Sequence, residues 1–312
     1  MALRLSLIIA TYNRAAEMVR ALESVAVQSA AADEWECVVV DNNSTDDTAA
    51  KFAEFAENHN EINLRMVREE RQGLSFARNR GIAESRGDII AIIDDDERIC
   101  ADFIRAYIEA FDAHPEAASA GGRTVAEYPS GRPEWMSRWT ERPIANPLDL
   151  GGAIRDFRGS GRIPCGGNMA VRRSAIERYS AFDTSLGRSG ATLVGGEECD
   201  LFARLSRGGE RCIYVPRAVM YHIIPASKLT DEYFDRLVYN IGVTQRRRAE
   251  ADGRMFVAGV AEYAKWAVTL VIAAWYAVGG RMAAARKLLR MRSGITAGFF
   301  DEIRNSESKT QN

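Results

Sequence analysis

Three consecutive carboxylates, Asp94-Asp95-Asp96, close the apolar run from Asp88 to Ile93 and are followed at once by Glu97. Like charges set side by side after a buried strand repel one another and resist desolvation unless a cation or a set of donors neutralises them. A divalent metal is the economical neutraliser. Oxygen ligands used in small number suit Mg2+ or Mn2+, whose remaining positions are filled by water and by the phosphates of a substrate. The chemistry indicated is metal-assisted binding of a nucleoside diphosphate group. A second acidic pair, Glu197-Glu198, follows Gly195-Gly196. Such a pair either complements the positive end of a helix dipole or presents a carboxylate as a general base.

The elements that must position these residues alternate. Leu5 to Ala10 and Trp35 to Val40 are short apolar runs of the kind buried on both faces of a parallel sheet, and Ile62 to Val67 and Asp88 to Ile93 follow as third and fourth strands. Between them lie helical periods: Met18, Leu22 and Val25; a stripe of Ala49, Phe52, Ala53 and Ala56 opened by a capping box of Ser44 and Asp47; and Leu74 to Ser85. This alternation predicts right-handed crossovers and a doubly wound α/β sheet. Ligands of such sheets sit beyond the carboxyl ends of the strands, where Thr11 to Arg14, Asp41 to Ser44 and Asp94 to Glu97 would converge on one crevice. Asn42, Ser44 and Asp47 read as turn formers and caps. The first turn, Thr-Tyr-Asn-Arg, has no glycine, and no G-x-x-x-x-G-K-[ST] run is present. Both a dinucleotide-binding dehydrogenase and a P-loop nucleotidase are thereby disfavoured.

Composition narrows the class further. The 312 residues, 46% hydrophobic, suffice for a large core, and 41 basic residues nearly balance 43 acidic ones, which argues against a nucleic-acid partner. Five scattered cysteines, at 37, 100, 165, 199 and 212, without C-x-x-C spacing, fit a reducing compartment. The N-terminus runs into a strand-like segment without the pattern of a signal peptide, so a cytoplasmic location is expected. Abundant Arg and Ala with few Lys point to a GC-rich bacterial genome.

Read together, residues 7 to 14 (LIIATYNR), 38 to 46 (VVVDNNSTD), 73 to 82 (GLSFARNRGI) and 92 to 97 (IIDDDE) resemble the family 2 inverting glycosyltransferases of the GT-A fold. A second block, 166 to 173 (GGNMAVRR), 195 to 205 (GGEECDLFARL) and 219 to 222 (VMYH), resembles the acceptor half of that family. The resemblance implies a mostly parallel central sheet, a nucleotide-sugar donor, with UDP-sugars favoured, and a glycan or lipid-linked acceptor in cell-surface polysaccharide or glycolipid synthesis. It makes Asp94-Asp95-Asp96 the D-x-D motif, with Asp96 on the Mn2+ or Mg2+ and Asp94 facing the ribose or a metal-bound water. Asp41 would recognise the base, Thr11, Tyr12, Asn13 and Arg14 would line the nucleoside pocket, and Arg78 and Asn79 would meet the diphosphate or ribose. His222 would complete the metal shell. The family shows Glu-Asp at the acidic pair where this chain has Glu197-Glu198, so the catalytic base falls on Glu198. A nucleotidyltransferase and a non-catalytic sugar-nucleotide-binding module are the alternatives.

Glycines in Cys165-Gly166-Gly167-Asn168 would let backbone approach the donor sugar, which places Gly167 and Asn168 among the donor-binding residues. Arg132 to Pro147, with Trp135, Trp139 and three prolines, reads as a long loop whose tryptophans stack on an acceptor sugar, rest on lipid or cover the core. Residues 1–250 are expected to form the catalytic domain, halved near 125. Residues 251–300 would form a helical segment and 301–312 a disordered tail. In the helical segment Glu262 and Lys265 interrupt an apolar run, leaving Trp266 to Val278, too short to span a bilayer; Arg281, Arg286, Lys287, Arg290 and Arg292 follow. That pattern fits either peripheral contact with the inner face of a membrane or helices packed on the domain.

Overall fold

The computed structural model describes residues 3–187 and 195–301. The tail from 302 onward, and the expectation of disorder attached to it, lie outside the described residues.

Contacts divide the chain into two compact units. The first holds the described residues up to Glu127, those from Pro147 to Gly187, and Gly196–Ile223. In chain order it contains β1 (Leu5–Thr11), α1 (Ala15–Ala26), β2 (Trp35–Asp41), α2 (Thr48–Asn58), β3 (Leu64–Arg68), α3 (Leu74–Glu84), β4 (Ile89–Asp94), β5 (Glu97–Ile99), α4 (Phe103–Ala113) and β6 (Ala117–Glu127). After α5 (Arg138–Ala145), which belongs to the second unit, come β7 (Arg155–Asp156), β8 (Met169–Arg172), α6 (Arg173–Tyr179), α7 (Glu197–Arg207) and β9 (Arg211–Ile223).

The strands form one sheet in the order β3-β2-β1-β4-β8-β6-β9-β5, with β7 added on β9. The β3-β2-β1-β4 part is wholly parallel, and beyond it β8 runs antiparallel between β4 and β6. Why the first strands read as unbroken apolar runs is visible in the packing. Leu7, Ile9, Cys37, Val39, Ala91 and Ile93 face a core closed by α1 and α4, while Ile8, Val38, Val40, Ile90 and Ile92 face one closed by α3 and α7. Both faces are buried, so most positions along these strands are apolar, and the polar exceptions are partnered: Ser6 donates to Glu36 at 2.7 Å.

Two local expectations fail. Ser44 and Asp47 do not form a capping box: α2 begins at Thr48, whose backbone and hydroxyl are held by Asp46 (3.1 and 2.5 Å), and its buried face is Thr48, Phe52 and Phe55. Ser44 is instead spent on the neighbouring loop. The 132–147 stretch is not all loop, because α5 forms around Pro143. An eight-residue helix loses one backbone hydrogen bond to that proline, and the reciprocal Ser137–Thr140 cap offsets the loss.

The second unit comprises Tyr128–Asn146, Gly195 and the described residues from Ile224 onward. Its helices are α5, α8 (Asp231–Ala251), α9 (Met255–Val278) and α10 (Met282–Phe300). Where α8 crosses α10 no side chain fits: a Cβ on Gly298 would lie 1.9 Å from the Tyr239 carbonyl oxygen and one on Gly242 would lie 2.1 Å from that of Ile295. Lys287 of α10 is buried between the rings of Trp135 and Phe234, with its ammonium 4.3 and 4.1 Å from their centroids, and pairs with Asp231 at 2.6 Å. Glu262 does not interrupt α9. It is buried and paired with Arg292 (2.6 Å) and Lys265 (2.8 Å), so α9 runs for 24 residues, long and apolar enough by length and composition to cross a membrane.

Candidate active site

All residues that build the site lie in the first unit. At the end of β1 the Thr11 hydroxyl donates to Asp95 (2.9 Å), and Arg14 donates to Asp95 (2.9 Å) and Asp96 (3.3 Å). Burial pushes the Asp95 carboxyl up to about 7, with Asp96 adding to the rise and Arg14 and Thr11 opposing it. Burial alone would lower the Arg14 pKa, but Asp95 and Asp96 more than reverse that. The middle carboxylate of the triplet is thus a strut between β4 and the first loop.

Asn13 sits in the left-handed region (φ 50°) and laces that loop to the next. Its backbone N–H donates to the Ser44 hydroxyl (2.9 Å), and its side-chain oxygen accepts from the Thr45 backbone (2.7 Å). Asp41, buried at the end of β2, accepts from the Ser44 backbone at 2.9 Å. Asn42 pins the following loop, donating to the Glu69 and Arg71 carbonyls (3.1 and 2.7 Å) and accepting from Gly73 (2.8 Å). Tyr12 remains 40% exposed, which leaves a ring face for stacking.

The outer two members of the triplet face a different way. Ligand oxygens of Asp94, Asp96 and Glu97 lie within 4.8 Å of one another. Glu97 is buried, accepts from the Asp94 backbone (2.8 Å), and has its carboxyl driven well above the usual range by burial and by Asp94 and Asp96. Three hard oxygen donors crowded in this way fit a divalent cation. Glu97 escaped assignment in the sequence because it reads as the fourth of a run. Its signal was Gly167, where a Cβ would lie 2.1 Å from the Glu97 carboxylate.

Arg78 joins this cluster to the second acidic pair. It is 1% exposed and donates to Asp94 (2.8 Å), Glu197 (2.9 Å) and the Gly166 carbonyl (3.2 Å). Burial works against its charge, and Asp94, Glu197 and Glu198 together raise its pKa despite that. Glu197 is buried and also accepts from the Gly196 backbone at 2.9 Å, whereas Glu198, beside it on the first turn of α7, is only partly buried. The pair is therefore asymmetric in burial, Glu197 being the more withdrawn of the two.

Other expected residues lie elsewhere. Asn168, placed at the donor by its sequence neighbours, is fully buried: it donates to the Arg123 and Ala218 carbonyls (2.9 and 3.2 Å) and accepts from Tyr107 (2.7 Å), filling the register break between β6 and β9. Asn79 exchanges hydrogen bonds with the Phe182 backbone (2.8 and 2.9 Å). His222 stands opposite Glu97 across the β5–β9 pair and outside the three-carboxylate cluster.

Comparison with known proteins gives the family and the fold. Residues 6–180 match the family model of glycosyl transferase family 2. A glucosyl-dolichyl phosphate glucuronosyltransferase of Haloferax volcanii is 27% identical over 162 residues, which is 49% of each chain, so the match spans about half that relative. The succinoglycan biosynthesis protein ExoM of Rhizobium meliloti is 26% identical over 240 residues, 77% of this chain and 73% of that one. Among solved structures, the mannosyltransferase PcManGT of Pyrobaculum calidifontis, in complex with GDP-Man and Mn2+, shares the GT-A type of fold with a TM-score of 0.62 at 20% identity, over 96% of this chain and 86% of that one. With strand-end carboxylates on a doubly wound sheet and a family match over more than half its length, the chain belongs to glycosyl transferase family 2.

Proposed function

We propose that the chain moves a sugar from a nucleotide-diphosphate sugar, with inversion, onto an acceptor hydroxyl in the assembly of a surface polysaccharide or a lipid-linked glycan. The observation that carries this reading is the buried Arg78, which holds the metal-type cluster and the Glu197-Glu198 pair as one unit. Asp94, Asp96 and Glu97 are the residues that would hold Mn2+ or Mg2+; His222, opposite Glu97 across the β5–β9 pair though outside that cluster, is the further ligand the family resemblance suggests. Such an ion, when bound, offsets the charge that develops on a departing diphosphate.

The protein's own groups supply the rest. Tyr12 offers a ring to the base, Asp41 an acceptor for a ring N–H, and Thr11, Asn13 and Arg14 fix the loop that shapes the nucleoside pocket. Arg78 keeps Asp94 and Glu197 oriented in place of water. Glu198 takes the proton of the acceptor hydroxyl while its oxygen bonds to the anomeric carbon and the bond to the diphosphate oxygen breaks with its electron pair. The relatives named for lipid-linked and polysaccharide products support the acceptor class, and the GDP-Man complex supports the donor class. Family membership removes the nucleotidyltransferase alternative.

The test is Glu198→Gln. Transfer should fall by about 100- to 10,000-fold, the usual contribution of a general base, while affinity for UDP or GDP with Mn2+ stays within about twofold. Full transfer by this variant would remove Glu198 from the mechanism. A wild-type chain that binds nucleotide sugars yet transfers nothing to any acceptor would favour the non-catalytic module.

A further inference from the structure

The helix α9 is polar inside and apolar outside. The residues it buries are Glu262, Thr269, Ala273 and Tyr276. Glu262 is matched by Arg292 and Lys265, the Thr269 hydroxyl donates to the Lys265 carbonyl (2.7 Å), and the Trp266 ring N–H donates to Thr296 of α10 (2.9 Å). What it turns outward is Phe256, Val257, Val260, Tyr263, Val268, Leu270, Val271, Trp275 and Val278, with Phe256 85% and both Val271 and Trp275 70% exposed. In water this pattern is inverted, because the apolar face should be the one withdrawn. A contiguous apolar face of this extent marks an interaction surface.

Charge selects the partner. Arg254 precedes the helix, and Arg281 and Arg286 follow it, all exposed. Arg254, Arg281 and Arg286 have no ion pair among the described residues, and Arg281 lies over the ring of Tyr276 (5.0 Å) next to Trp275. Apolar side chains rimmed by cations and by interfacial aromatic residues match an anionic lipid surface, with acyl chains against the helix and headgroups against the rim. The apolar helix is long enough to span, but it packs along α10, which carries Arg286, Arg290 and Arg292, so it lies in the surface rather than across it.

We infer that α9 is a lipid-docking helix, immersed by its Val268–Val278 face in a membrane that carries anionic headgroups. The inference is independent of sugar transfer. The test uses the purified full chain, without detergent, in flotation with vesicles of neutral phosphatidylcholine and of phosphatidylcholine with phosphatidylglycerol. The wild type should float with the anionic vesicles at least tenfold more strongly than with neutral ones, and salt should reduce the difference. V271S/W275S, altered only at exposed positions, should lose at least tenfold of the binding while keeping its melting temperature and its nucleotide affinity. R281Q/R286Q should lose only the anionic preference. A wild type that stays in the aqueous fraction with both vesicles overturns the inference. Sedimentation would then show whether a second copy covers the helix, as a dimer that V271S/W275S dissociates. Retained flotation of V271S/W275S would overturn it equally.

Discussion

Residues in this site divide into those that meet ligands and those that hold the first group in place, and burial separates them. Arg78 carries charge with almost no solvent and two carboxylates to answer it. Removing one partner of such a set leaves an uncompensated buried charge. Arg78→Met should therefore cost roughly 3–5 kcal/mol in stability and lower transfer as well, read by denaturant unfolding and initial rates. Asn168 is the counter-case. Asn168→Ala strands the Tyr107 hydroxyl and two carbonyls inside the β6–β9 break. The chain should lose about 1–3 kcal/mol for each group left unsatisfied, whereas nucleotide affinity of the folded fraction, measured by calorimetry, should not change. A donor-binding Asn168 would show the opposite split.

At the level of elements, the joints rather than the elements themselves set stability. The sandwich of Lys287 between Trp135 and Phe234 ties α10 to α8 and to the segment before α5. Lys287→Ala removes a buried four-carbon stem together with its charge and should cost roughly 2–4 kcal/mol. Asp231 adds a pH dependence. Its carboxyl is held below the ordinary range by Lys287 and Arg290, so its contribution is present above about pH 4, the unfolded value, and is lost as pH falls through the native one. The difference in Tm between wild type and Asp231→Asn should accordingly be seen at pH 5–7 and shrink as the pH falls through the lowered native value.

Elements buried on both faces were legible to within a residue or two: β1, β2 and β4, with Met18, Leu22 and Val25 of α1. The second half was not. Four residues of β8 and a thirteen-residue β9 broken at Pro216 owe their pairing to partners 50 or more residues away, which no local period encodes. The same holds inside the site. Asp94 and Asp96 of the carboxylate cluster announce themselves by type and position, while the placement of Glu97 and Asn168 depends on Gly167 and on the β9 break.

For the whole molecule, cohesion of the second unit rests on its last helix. A chain ending at Ala251 lacks α10, and Phe234, Trp135 and the crossing glycine Gly242 lose their cover. Such a chain should aggregate on size-exclusion chromatography at concentrations where the full chain does not. The first unit carries a different kind of dependence. Because one guanidinium answers both Asp94 of the carboxylate cluster and Glu197 of the second acidic pair, no mutation at that point can alter one and spare the other. Variation can therefore accumulate around the exposed Tyr12 loop or around Glu198, but not at position 78. Libraries that keep this arginine constant and diversify the rims should retain far more working members than libraries that include it. A lineage of such chains would exchange substrates while inheriting its hinge pin unchanged.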